Sequence, residues 1–261
     1  IIKIANAVNR NASRPIASIS ADILILVGVQ SIRQTVLGLS LASSYRRGRC
    51  EAFDYEYFWA RSVAMACAAQ AIGDCVPIAP SPEIFTCGLL AGIGRLGLAS
   101  ARPDVYSALL EKSAGVSPQE LALSETELFG INHLGLAAAM MADWNIPRLF
   151  SDAVTFHESP DLSGLPANSR QQKLIRALHL ASLIADICMA SDEDIARLLP
   201  VVFAAGAALD LDKEQVEALV GGAAQEWQEW GDVLELPTRA LPKLDGAGVE
   251  DGCSDDAACL R

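Results

Sequence analysis

The sequence predicts an all-α protein, a compact multi-helix bundle of about eleven helices. Three observations carry this. Helix-start signals recur along the chain, apolar residues fall at three- and four-residue steps, and no sustained alternation of apolar and polar residues marks a strand. Hydrophobic residues make up 51% of the chain but aromatics only 6%, so Leu, Ala, Ile and Val must build the core.

The elements follow in order. The opening Ile1-Ile2-Lys3-Ile4-Ala5 has a helical pattern, no starting Met and no signal-peptide layout. It is read as part of a chain that extends upstream. Ile23-Leu24-Ile25-Leu26-Val27 has strand propensity, but its helical surroundings favour a short buried helix. Residues 54–72 read as a helix with one apolar face. Ser81-Pro82-Glu83 places an N-cap before a proline suited to the first helical position. Ser117-Pro118-Gln119-Glu120 adds a capping-box Glu.

His133 opens an amphipathic stretch from Leu134 to Trp144, and His157 closes the segment Pro147 to Phe156. Ser159 to Pro166 has the composition of a surface loop. In 170–189, Leu174, Leu178, Ala181, Ala185 and Cys188 share one helical face. Asp192-Glu193-Asp194 suits a helix start, where negative charge meets the dipole. Asp212-Lys213-Glu214-Gln215 opens a last helix over 212–230. After Leu236-Pro237 the pattern gives way to a Pro/Gly/Asp-rich tail. The expected division is a helical domain over 1–205, a helical extension over 206–237 and an acidic flexible tail over 238–261.

Charge narrows the function classes. The net charge is −12, and residues 190–261 hold five bases against sixteen acids, whereas residues 1–50 hold seven Lys/Arg against one acid. An acidic chain is a poor generic nucleic-acid binder, because phosphate contacts dominate that affinity. Arg46-Arg47-Gly48-Arg49 is the one basic spot, read as a solvated loop. No apolar run reaches the roughly 18–20 residues a membrane helix needs. Seven scattered cysteines without a Cys-x-x-Cys pair argue against a disulfide framework or thiolate zinc site and point to a reduced cytoplasm.

Chemistry-bearing motifs are sparse. Gly92-Ile93-Gly94-Arg95-Leu96-Gly97 spells a dinucleotide fingerprint, but it follows a helix and has no parallel sheet around it. Its glycines are read as places of close helix approach. There is no nucleophile elbow and no P-loop. His133, His157 and His179 lie on separate segments, and His179 shares a helical face with Asp186 seven residues on. Two His and one Asp could supply part of a metal site, although each His alone is more often structural.

In order and spacing, five segments resemble the HDOD family, the HD-related output domain of bacterial signalling proteins. Ile4-Ala5-Asn6-Ala7-Val8 is similar to the family's L-x-x-A-N-S helix. Ile19 through Val29 resembles I-x-S-I-x-x-A-I-x-x-L-G, and Phe58-Trp59-Ala60-Arg61-Ser62 resembles F-W-x-H-S. Leu89-Leu90-Ala91-Gly92-Ile93-Gly94 sits where catalytic relatives have L-L-H-D-I-G. Glu127 through His133, then Trp144-Asn145-Ile146-Pro147, resemble E-x-x-x-F-G-x-x-H and W-x-x-P. Gln225 through Gly231 with Leu236-Pro237-Thr238 resembles the joint between an HDOD domain and a GGDEF-type cyclase.

The resemblance implies an HD-like bundle over residues 1 to about 190. It places the superfamily's metal positions at Arg61, Ala91, Gly92, His133, His157 and Asp186, three of which cannot bind a metal. It therefore implies no enzyme and no cofactor. The expected role is a non-catalytic regulatory or interaction module in bacterial signal transduction, controlling an attached or partner domain of GGDEF or receiver type within cyclic-di-GMP signalling. Two alternatives stand beside it. One is a sensor of a nucleotide or phosphate, held by Arg61, His133 and His157. The other is a residual metal-dependent phosphohydrolase. For Arg61, pairing with Asp186 or another acid competes with ligand binding.

Overall fold

The computed structural model describes residues 40–242 together with Val36. The opening helix, the 19–29 segments and the tail cysteines Cys253 and Cys259 lie outside the described residues. Ten α-helices and one short 3-10 helix follow in order, and no strand occurs among the described residues. They are α1 (Tyr55–Cys75), α2 (Ser81–Leu90), α3 (Ile93–Ala101), α4 (Pro103–Lys112), α5 (Pro118–Phe129), α6 (His133–Asp143) and α7 (Arg148–Phe156). The 3-10 helix Pro160–Ser163 lies in the expected surface loop and leads to α8 (Arg170–Met189), α9 (Asp192–Ala207) and α10 (Lys213–Leu234).

α1 is the axis of the bundle. Asp54 caps it by accepting from the Tyr57 amide at 2.9 Å. The sequence suggests one apolar face, but the helix is buried all round, because α2, α8 and α10 pack on it from different sides. Small side chains permit this: Ala60, Ala64, Ala66, Ala68 and Ala69 are all fully buried. Where α2 crosses α1, a Cβ on Gly88 would stand 2.7 Å from the Met65 carbonyl oxygen, so only glycine fits. Gly94 does the same for α3 on α6, where a Cβ would collide with the His133 carbonyl. The glycine-rich string therefore serves helix packing.

The capping boxes at Ser117/Glu120 and Asp212/Gln215 form as the sequence predicts. The expected cap at Ser81 does not. Pro80 occupies the N-cap position of α2, Ser81 is the first helical residue, and its hydroxyl donates to the Asp74 carboxylate at the end of α1. The apolar stretch needs a second correction: Ser81–Ala101 spans 21 residues and meets the length and composition of a membrane helix. A turn at Ala91-Gly92 divides it, and 72% of its apolar window is buried inside the protein.

α10 closes the bundle on α1. The indole Nε1 of Trp227 donates to the Ala60 carbonyl at 2.8 Å, and the Trp230 ring lies 5.7 Å from that of Phe85. Trp227 is 2% exposed. Trp227→Ala is expected to cost about 3–5 kcal/mol, as large-to-small changes of buried aromatics do. Denaturant unfolding should show a lower midpoint with an unchanged slope.

Candidate functional site

A cavity of about 200 Å³ opens where α1, the α2–α3 turn and the end of α7 meet. Arg61 comes from α1, Ala91 and Gly92 from the turn, Arg95 from α3, and His157 and Glu158 from the residues after α7. Four of the six sequence-expected positions, Arg61, Ala91, Gly92 and His157, thus line one wall. His133 and Asp186 do not line it and instead stand behind residues that do.

Arg61 is fixed from the side of α8. Its Nε donates to Asp186 Oδ1 at 2.7 Å, and its Nη2 donates to Ser182 Oγ at 2.8 Å. The pairing alternative read from the sequence is the one observed. Burial works against the guanidinium charge, but the Asp186 carboxylate outweighs it and holds the Arg61 pKa above its ordinary value.

Behind the cavity runs a buried chain of charges. Gly130 ends α5 in the left-handed conformation at φ 75°, a turn that favours glycine. Asn132 then caps α6 by accepting from the Gly135 amide, and His133 becomes its first residue. The backbone N–H of His133 has no intrahelical partner and donates to Glu125 Oε2 at 2.7 Å. The same oxygen lies 2.6 Å from His133 Nδ1, while His133 Nε2 lies 3.1 Å from Glu158 Oε1. Tyr106 donates to Glu125 Oε1 at 2.8 Å, and Arg95 donates to Glu158 Oε1 at 3.2 Å.

Two carboxylates facing both ring nitrogens make His133 a double donor. Burial would depress its pKa, but the hydrogen bonds to Glu125 and Glu158 prevail and raise it. Burial would likewise raise Glu158, yet the His133 hydrogen bond and the His133 and Arg95 charges bring it down to about 2. Glu125 is lowered in the same way, with His133 as the partner that overcomes burial. His157 behaves oppositely: burial lowers it to about 4, and its Nδ1 faces the Val154 carbonyl at 2.6 Å. Nε2 is then the ring nitrogen it can offer the cavity.

The sequence reading missed Arg95, Glu125 and Glu158. Glu125 was within reach: the spacing E-x-x-x-F-G places its acid four residues before Phe129, at Glu125 and not at Glu127, which is exposed. His179 takes no part in a ligand set; its Nδ1 lies 2.8 Å from the His157 carbonyl oxygen.

These residues do not fit the divalent ion that the family resemblance brings with it. A metal ligand needs a free lone pair. Ala91 and Gly92 offer no side-chain donor, Arg61 is a fixed cation, and both His133 nitrogens face carboxylates. Among the described residues no group of three or more His, Cys, Asp or Glu side chains is placed to hold a metal.

Residues 1–160 match the HDOD domain family. Among solved structures, the chain is similar to the MmoQ response regulator from Methylococcus capsulatus, at 36% identity and a TM-score of 0.60, covering 84% of this chain and 82% of that one. An HDOD domain protein of unknown function from Geobacter sulfurreducens shares the fold at 18% identity and a TM-score of 0.62, covering 89% and 80%. So does a candidate phosphohydrolase from Shewanella amazonensis, at 21% identity and a TM-score of 0.63, covering 88% and 82%. No curated protein matches the chain.

The opposite shifts of the two histidines give stability a pH signature. The contribution of His133, whose pKa is raised, is fully present below its unfolded value near 6.5 and is lost as pH rises through the folded value. His157, whose pKa is lowered, costs stability as pH falls from 6.5 towards about 4. The melting temperature should therefore fall as pH climbs above 6.5, and His133→Gln should lose that alkaline slope. At pH 6 the same substitution should cost about 3–5 kcal/mol, because it leaves the fully buried Glu125 carboxylate without its cation. Parallel slopes for the two proteins would refute the assignment.

Proposed function

Since this chain belongs to the HDOD domain family, we propose that it is a regulatory module of bacterial signal transduction that acts by interaction and not by turnover. One observation carries this reading: the guanidinium of Arg61, tied to Asp186 and Ser182, fills the place where the resemblance puts a metal ligand. A hydrolase of this lineage makes its nucleophile from a metal-activated water. A fixed positive charge beside two positions without donors, Ala91 and Gly92, opposes that chemistry. The similarity to a response regulator supports a signalling context.

The output we propose is control of an attached or partner domain, of GGDEF or receiver type, within cyclic-di-GMP signalling. The free thiols of Cys50, Cys75, Cys87 and Cys188 fit a reduced cytoplasm. The cavity favours a second reading, in which the same module senses a small ligand.

The test is metal content and turnover together. After incubation with Mn²⁺, Fe²⁺, Mg²⁺ or Zn²⁺ and desalting, elemental analysis should find well under one metal per chain. Phosphodiester hydrolysis should not rise above the buffer rate. Stoichiometric metal with turnover lost in Asp186→Ala would establish the phosphohydrolase reading instead.

A further inference from the structure

We infer that the cavity is a binding site for a small aromatic carboxylate, with its ring on the apolar floor and its carboxylate towards Arg61 and Arg95. This deepens the sensing reading above and rests on the site taking no metal. Three features of the cavity select the ligand.

The first is size. Drug-sized ligands occupy pockets of roughly 300–1,000 Å³, and a nucleotide carries a base, a sugar and a phosphate. The 200 Å³ here lies below that range, so it encloses a single ring with one substituent more fully than it does a nucleotide.

The second is the split between floor and rim. Phe53 and Phe58, with their rings 5.3 Å apart, give the floor its apolar surface, and Met65, Ala91 and Tyr106 back it from behind, almost fully covered. Aromatic walls favour a planar apolar body. The rim is polar and part-exposed: the Arg61 and Arg95 side chains keep 28% and 33% of their exposure. The floor is closely fitted, because a Cβ on Gly92 would already reach 3.0 Å from the Phe58 ring.

The third is surplus donors. A guanidinium has five N–H groups. Arg61 spends Nε and Nη2 on α8, and Arg95 spends Nη2 on Glu158. Nη1 of Arg61, and Nε and Nη1 of Arg95, have no protein acceptor among the described residues. The acids nearby are already engaged: Asp54 caps α1, Glu158 faces His133 and Arg95, and Asp186 holds Arg61. A carboxylate matches an unfilled guanidinium edge in geometry and charge. Neutral His157 adds no competing cation deeper in the wall.

Isothermal titration of the full chain in EDTA tests this, with benzoate, benzamide and inorganic phosphate as probes. Benzoate should bind with a stoichiometry of one, and at least about tenfold more tightly than benzamide, the effect of a charge-assisted hydrogen bond. Inorganic phosphate, which has the charge without the ring, should be weaker by a similar factor. Arg95→Gln should cut benzoate affinity about tenfold. Ala91→Leu should abolish binding by filling the floor, with the circular dichroism melt confirming that each variant folds. Equal affinity for benzoate and benzamide, equal affinity for phosphate, or no heat with benzoate at millimolar concentration would overturn the assignment. EDTA keeps this outcome separate from the previous test: a failed titration rejects the ligand class alone, and stoichiometric metal rejects the regulatory reading.

Discussion

Burying an imidazolium at 1% exposure requires carboxylates on both sides of it, and much of the chain around the cavity is arranged to supply them. Glu125 must arrive from α5, so α5 has to end abruptly and turn back, which Gly130 allows. Glu158 must arrive from beyond α7, so α7 has to end at His157. Arg95 comes from α3, which reaches α6 because Gly94 leaves room for the His133 carbonyl. Four segments separated in sequence are thus held by one charge chain. In a low-dielectric interior each link is costly to leave unmatched. Such a network fixes the geometry of the cavity wall it stands behind.

The same need for compensation explains the front of the wall. A cation at position 61 would repel a divalent ion, yet alone it would also be an unmatched charge in a partly buried site. Asp186 on α8 is its partner. The polar groups around the cavity are thus paired with one another, and Nη1 of Arg61 and Nε and Nη1 of Arg95 are left over.

Much of the fold was legible in the sequence because helix boundaries are local chemistry. The boxes at Ser117/Glu120 and Asp212/Gln215 and the apolar face of 170–189 identify their helices directly. Ser81 misled because a hydroxyl can serve either its own helix or a neighbour, and Asp74 is a tertiary partner no local pattern reveals. α1 misled for a related reason: a helix packed on several sides has no polar face, so periodicity understates its burial. The site was half legible. Arg61, Ala91, Gly92 and His157 were placed by resemblance, but Arg95 and Glu158 carry no motif of their own. Their roles exist only once α3 and the end of α7 are brought against His133. Glu125 shows the cost of a two-residue slip: the exposed Glu127 took its place in the motif, although the spacing from Phe129 singles out the buried acid.

Position 61 also bears on how the cavity and the C-terminal helix are related. Arg61 and Ala60 are neighbours on α1 but face different partners. The guanidinium meets α8 at Asp186 and Ser182 and lines the cavity, while the Ala60 carbonyl accepts the Trp227 indole N–H of α10. A single turn of the central helix therefore touches the cavity, the long helix that braces it, and the helix that leads out to the C-terminal residues. α1 is close-packed through small side chains on all sides, so it has no slack in which to absorb a local shift. A ligand that drew Arg61 away from Asp186 would have to move α1 against α8 or leave the part-exposed Asp186 carboxylate without its cation. Either change would be felt at Ala60, one residue away, and at the indole bonded to it.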